Sequence, residues 1–128
     1  MQPADQQLID LARDLIVRRY REGYHHIAAA LRTTAGNVFT GVHLEAYVGR
    51  IAVCAEAVAL GAAATAGDTD IAVVVAVNEL GAIVSPCGMC RELLLDYAPA
   101  AQVILAEQDE PMLLPLAELL PRKYARAD

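Results

Sequence analysis

The chain predicts an α/β fold of three layers, with helices covering both faces of a mixed central sheet. Three observations carry that expectation. Helical and strand periodicities follow one another in the order helix, hairpin, helix, strand, helix, strand, helix. The run Ile71-Ala72-Val73-Val74-Val75-Ala76-Val77 is continuously apolar and rich in β-branched residues, as befits a central strand buried on both faces. With 128 residues and no repeat or linker, the chain reads as one domain over residues 1–128, long enough for a sizeable core.

The first helix spans Ala4 to about Glu22, where Leu8, Leu11, Ala12, Leu15 and Ile16 recur at helical spacing between charges. His26 to Arg32 and Val38 to Leu44 read as two strands of a hairpin turning at Ala35-Gly36-Asn37. Alanine-rich Cys54 to Ala66 is helical and stops at Gly67-Asp68. After the central strand, Ser85-Pro86 leads into a helix from Cys87 to Tyr97, stopped before Pro99. Gln102 to Ala106 reads as another strand, and Leu116 to Leu120 as a short last helix ended by Pro121.

Composition narrows the function. Apolar residues make up 56%, much of it alanine, and aromatics only 5%, which leaves apolar surface for subunit contacts. The net charge of −6, with only short cation clusters such as Arg122, Lys123 and Arg126 and no long basic stripe, argues against a nucleic-acid polymer as partner. The start, Met1-Gln2-Pro3-Ala4-Asp5, does not read as a signal peptide, and the longest apolar run is too short to span a bilayer. An odd cysteine count disfavours a disulfide framework, so a soluble cytoplasmic protein with no membrane partner is expected.

All three cysteines fall in one arrangement, Cys54-Ala55-Glu56 and Pro86-Cys87-Gly88-Met89-Cys90. Cys87 and Cys90 share the first turn and one face of a helix. That pair alone suits structural zinc, a redox dithiol or a catalytic metal. Cys54 at a second helix start, two residues before Glu56, makes the pattern far more specific. Helix N-termini favour thiolate over thiol. A catalytic zinc ion takes three protein ligands, keeps one position open, and lowers the pKa of water bound there to near neutrality. Glu56, in the first turn of its helix, is the candidate proton carrier beside that position. A closed structural site would need a fourth ligand, for which His43 is the one candidate. Arg91, directly after Cys90, is the candidate to offset thiolate charge by hydrogen bonding to a sulfur.

On these residues the chain resembles the small cytidine deaminase family over almost its whole length, nearest to the blasticidin S deaminase-like branch. The segments that carry the resemblance are Phe39-Thr40-Gly41-Val42, Cys54-Ala55-Glu56, Leu60-Gly61, Ser85-Pro86-Cys87-Gly88, Cys90-Arg91 and Glu118-Leu119-Leu120-Pro121. The histidine-or-cysteine, x-Glu, Pro-Cys-x-x-Cys pattern is the signature of zinc deaminases. The resemblance implies the cytidine-deaminase-like fold, zinc on Cys54, Cys87 and Cys90, and Glu56 as proton shuttle. It implies attack at C4 of a cytosine ring in cytidine, deoxycytidine or a related aminopyrimidine nucleoside. The other outcomes are a blasticidin S-type antibiotic deaminase and a non-catalytic zinc-stabilised module. A homotetramer with sites at subunit borders is also implied.

Departures from the family pattern concern the substrate. Gly41-Val42-His43-Leu44-Glu45 matches a sugar-binding Gly-x-Asn-x-Glu segment, with Glu45 kept and His43 in place of asparagine. His25 aligns with the phenylalanine that stacks on the base. Ala57 replaces an arginine that offsets zinc charge in many members. Ala55, next to the first ligand, is carried over as a substrate contact, and Tyr124 as the aromatic sent into a neighbouring subunit's site.

Overall fold

The computed structural model describes residues 1–127. It contains helices α1 (Pro3–Arg19), α2 (Ala55–Thr65) and α3 (Gly88–Tyr97) and strands β1 (Ile27–Thr33), β2 (Val38–Val42), β3 (Ile71–Asn78), β4 (Gln102–Glu107) and β5 (Glu110–Pro115). Single 3₁₀ turns occupy Gly49–Ile51 and Leu116–Leu119. The strands form one sheet in the order β2-β1-β3-β4-β5. β3 and β4 are parallel, joined through α3, and every other pair is antiparallel, so the sheet is mixed as expected.

Strand alternation sorts the core into two layers. Ala28, Ala30, Val73, Val75 and Val77 face α1, where Leu8, Ile9, Ala12 and Ile16 cover them. Ala29, Leu31, Val74 and Ala76 face the opposite way, against Ala55, Ala59, Leu60 and Ala63 of α2 and Leu94 of α3. Both faces of β3 are thus buried, which is why its sequence is apolar throughout rather than alternating. The alanines of α2 recur every four residues, a narrow stripe that lets helix and sheet approach closely. Closest is Gly41 on β2. A Cβ there would stand 2.6 Å from the Ala59 nitrogen and 2.8 Å from the Ala55 carbonyl. Any side chain at Gly41 must push α2, and the residues at its N-terminus, away from the sheet.

Two expectations need correction. The sequence reading left β5 out, because Pro111 and Pro115 bracket it and the turn before it lacks glycine. Gln108 and Asp109 both adopt left-handed conformations, with φ of 52° and 66°, where Asn-Gly would be the usual signal. β5 is an edge strand, the one place in a sheet where proline costs little. The last helix is a single 3₁₀ turn, since the four residues between Pro115 and the Leu120 cap leave no room for an α-helical repeat.

One buried acid ties α1 to the sheet. Asp5, 1% exposed, accepts the Gln2 backbone N–H at 2.8 Å and pairs with Arg32 of β1 at 2.8 Å. Burial pushes its carboxyl up, but the Gln2 N–H, the Arg32 hydrogen bond and the Arg32 charge outweigh this and hold it below the ordinary value. Its contribution is therefore complete at neutral pH and lost as pH falls through the depressed value. Among the described residues Arg32 Nη1 is already buried without a partner, so deleting the anion isolates the guanidinium further. Asp5→Asn is expected to cost about 2–3 kcal/mol at pH 7. Denaturant titrations should show the gap to wild type closing below about pH 4.

Candidate metal centre and pocket

Cys54 caps the N-terminus of α2, and Cys87 caps α3, with Cys90 one turn in. Because α2 and α3 pack side by side on one sheet face, the two helix starts converge. The three Sγ atoms lie within 4.8 Å of one another, and Cys54 Sγ is 3.5 Å from Cys87 Sγ. No disulfide joins them, as all three are free thiols. Tetrahedral zinc with Zn–S bonds of about 2.3 Å puts its sulfurs roughly 3.8 Å apart. The observed spacing meets that requirement, and three soft sulfur donors suit zinc. Cys54, Cys87 and Cys90 are thus positioned to bind a metal.

The three thiols are not equivalent. Burial opposes ionisation of Cys87, but the Cys90 N–H, the Cys54 and Cys90 sulfurs and the Met89 N–H outweigh it and lower its pKa. Cys54 is raised, by burial first and then by the Cys87 sulfur. Cys90 is raised further, by burial and by the charge of Glu56. Hydrogen bonds at the α3 N-terminus thus favour the thiolate at Cys87, whereas burial works against it at Cys54 and Cys90.

Glu56, 6% exposed, sits in the first turn of α2 beside this cluster. Burial raises its pKa against the pull of its own backbone N–H. Such a carboxyl holds a proton closer to neutrality than a solvated one does.

The cluster opens into a cavity of about 300 Å³ walled by His26, Ile27, His43, Cys54, Ala55, Glu56, Val84, Ser85 and Cys87. Of the sequence candidates, Cys54, Cys87, Ala55, Glu56 and His43 share this wall, and Cys90 lies buried behind it. His43 is not in the sulfur cluster. Its Nδ1 accepts the His26 backbone N–H at 3.1 Å, and its Nε2 lies 3.3 Å from Glu45.

Four candidates stand outside the wall. His25 is turned away, its Nδ1 donating to the His43 carbonyl at 2.8 Å, and the neighbouring His26 takes the place in the wall. Glu45 is engaged by His43 and by the Ala46 N–H at 3.0 Å. Tyr124 is 77% exposed and flanks the outer side of α3, next to Lys123, which pairs with Glu92 and Asp96. Arg91 was expected to bond a sulfur. Its hydrogen bonds instead go to the Pro86 carbonyl, the Leu119 carbonyl and Ser85 Oγ. It braces the loop that carries Cys87, because three oxygens lie within reach of its guanidinium fork. Sequence reasoning missed Ile27, Val84 and the part played by His26. None carries a motif, and only the pairing of β1 with β3 and the Val84 N–H bond to the Ala76 carbonyl bring them together.

Comparison with known proteins agrees with this geometry. Residues 2–106 match the family model described as the cytidine and deoxycytidylate deaminase zinc-binding region. The chain is 41% identical over 130 residues to a blasticidin-S deaminase from Bacillus cereus, covering 95% of this chain and 93% of that one. It is 31% identical over 104 residues to a cytidine deaminase from Halalkalibacterium halodurans, covering 80% and 79%. Its fold superposes on the crystal structure of cytidine deaminase from Burkholderia pseudomallei with a TM-score of 0.81 at 29% identity, over 97% of this chain and all of that one. The chain therefore belongs to the cytidine and deoxycytidylate deaminase family of zinc-dependent hydrolytic deaminases.

Proposed function

We propose that the protein hydrolyses the exocyclic amine of a cytosine ring carried by cytidine, deoxycytidine or a related aminopyrimidine nucleoside, releasing ammonia. The observation that carries this reading is the buried Glu56 carboxyl placed beside three convergent cysteines, two of which line a cavity of about 300 Å³ with it. Zinc, when bound to Cys54, Cys87 and Cys90, supplies Lewis-acid activation of water at its open position. Glu56 takes the proton that the water gives up and delivers it to the departing amine. A C4–O bond forms, the C4–N bond breaks, and the nitrogen leaves as ammonia. Raised by burial, the Glu56 carboxyl can both accept and return that proton. Ile27 and Val84 supply apolar walls suited to a flat ring, and Ala55 keeps the approach to it open.

Zinc-loaded protein should convert cytidine to uridine with falling absorbance and stoichiometric ammonia. Failure to turn over any cytosine nucleoside at high enzyme concentration defeats this reading. A second reading, deamination of a blasticidin S-type antibiotic, is favoured by the 41% identity to the Bacillus cereus enzyme and by His43 in the cavity wall. The ratio of kcat/KM for cytidine and blasticidin S decides between pyrimidine salvage and antibiotic resistance.

We further infer a homotetramer in the cytoplasm. Tyr47, Val48, Ile51, Met89 and Leu93 are exposed apolar side chains, and Met89 and Leu93 share a groove with Cys54 and Cys90, the kind of surface that subunit contacts cover. The free thiols fit a reducing compartment. Among the described residues no helix is long and apolar enough to cross a membrane. Sedimentation equilibrium at four times the 13.7 kDa chain mass is the expected result.

A further inference from the structure

Ser85 and Pro86 belong to no strand or helix, yet they deliver Cys87 to the metal centre. Backbone pairing in the return from β3 reaches Val84, whose N–H donates to the Ala76 carbonyl at 2.9 Å. Beyond Cys87, the Arg91 N–H donates to the Cys87 carbonyl at 3.0 Å as α3 begins. Between those points Pro86 has no N–H to offer. The Arg91 side chain holds the segment instead. Its Nε donates to the Pro86 carbonyl at 2.9 Å, and its Nη2 donates to Ser85 Oγ at 3.0 Å.

The third arm of the same guanidinium reaches a different part of the chain. Nη1 donates to the Leu119 carbonyl at 3.1 Å, in the Leu116–Leu119 turn. That turn has its own anchor in the core, where Leu116 is fully buried and its N–H donates to the Ala101 carbonyl at 2.9 Å. A guanidinium presents its donors in one rigid plane, so it fixes the relative positions of everything it bonds. Leu119 and Ser85-Pro86 cannot move apart without breaking a charge-assisted bond. All three acceptors are oxygens, so Arg91 acts on the metal centre through placement rather than through charge on a sulfur.

Resting on the reading of Cys54, Cys87 and Cys90 as zinc ligands, we infer that Arg91 is a positioning residue that couples the C-terminal Leu116–Leu119 turn to the metal centre, each stabilising the other. Cys54 Sγ and Cys87 Sγ stand 3.5 Å apart, and the clamp on Ser85-Pro86 keeps Cys87 at that spacing before the ion arrives. Outer partners of this kind are worth about 10- to 100-fold in metal affinity. Coupling between two sites is reciprocal, so zinc in turn holds the Leu116–Leu119 turn closed.

Two measurements on the full chain test this. The first is zinc affinity, read by competition with a chromophoric chelator. Arg91→Lys keeps the charge and loses the fork, so zinc should bind about 10- to 100-fold more weakly. Ser85→Ala removes one of the three bonds and should cost less. Lys123→Ala frees the tail from Glu92 and Asp96 but keeps the Leu119 carbonyl, and should leave affinity within about twofold. The second measurement is hydrogen exchange. The Leu120 N–H donates to the Ala117 carbonyl at 3.2 Å and reports opening of the turn. Zinc should slow it about tenfold in wild type, relative to the Gly36 N–H in the β1–β2 turn, and should not do so in Arg91→Lys. Full zinc affinity in Arg91→Lys, equal weakening in Lys123→Ala, or slowing at Leu120 that survives Arg91→Lys overturns the inference. If Arg91→Lys does not fold, wild type and Ser85→Ala decide, and a Leu120 N–H indifferent to zinc overturns it. A wild type that takes up no zinc defeats the metal reading and the inference with it, a result distinct from wild type and variants binding zinc equally.

Discussion

Glu56→Gln is expected to lower kcat by about 10³-fold while leaving fold and zinc content unchanged. Glutamine has the same shape but cannot shuttle a proton, so the loss falls on kcat rather than KM. A purely structural zinc module does not need an acid at this position, and its properties would not change. The stability effect has the opposite sign to the catalytic one. In metal-free protein, burial raises the Glu56 pKa, so the folded state disfavours the charged form. Wild-type stability therefore declines as pH rises from the unfolded-state value of about 4.3 toward the raised folded value. The glutamine variant escapes that decline and should match or exceed wild type in Tm as pH rises above the unfolded-state value. Retention of more than about a tenth of kcat would mean that another group carries the proton.

Cys90→Ala should abolish zinc binding and, with it, turnover. Cys90 is 2% exposed, and alanine differs from it by little volume, so the chain should still fold. Two remaining sulfurs, one of them with a raised pKa, do not replace a three-thiolate site. Elemental analysis should fall from about one zinc per chain to none. Chelation should lower the Tm of wild type, because a ligand that binds only the folded state stabilises it by about 4 kcal/mol at a thousandfold excess over Kd, and should leave Cys90→Ala unmoved. Zinc uptake by wild type should release protons, since burial keeps Cys54 and Cys90 protonated in the free protein. Affinity should accordingly fall as the medium is acidified. His43→Ala is expected to keep its metal, because both His43 ring nitrogens are committed elsewhere. Loss of zinc from that variant would instead mark a closed four-ligand centre.

The contrast between what the residues declare and what only packing reveals follows from the range of the interactions involved. Helix starts at Cys54 and Cys87, the buried strand Ile71–Asn78 and the donor set of three sulfurs rest on local periodicity, capping and ligand chemistry, all readable within a few positions. The family pattern around Cys54, Glu56, Cys87 and Cys90 is likewise confined to two short segments. Strand β5 escaped because its turn uses left-handed Gln108 and Asp109, and because proline is tolerated only once a strand is known to lie at an edge. The destination of Arg91 could not be read from its place beside Cys90, since the Leu119 carbonyl it reaches lies 28 positions along the chain. The same holds for the cavity wall. Whether His25 or His26 lines the cavity depends on bonds from Gly23 and to the His43 carbonyl, formed only when the hairpin closes. Sequence by itself determined the class of reaction and the three cysteines positioned for a metal, because these are properties of side-chain type at close spacing. Tertiary structure alone decided which side chains wall the pocket, because His26, Ile27 and Val84 meet through strand pairing and long-range hydrogen bonds and not through any local signal.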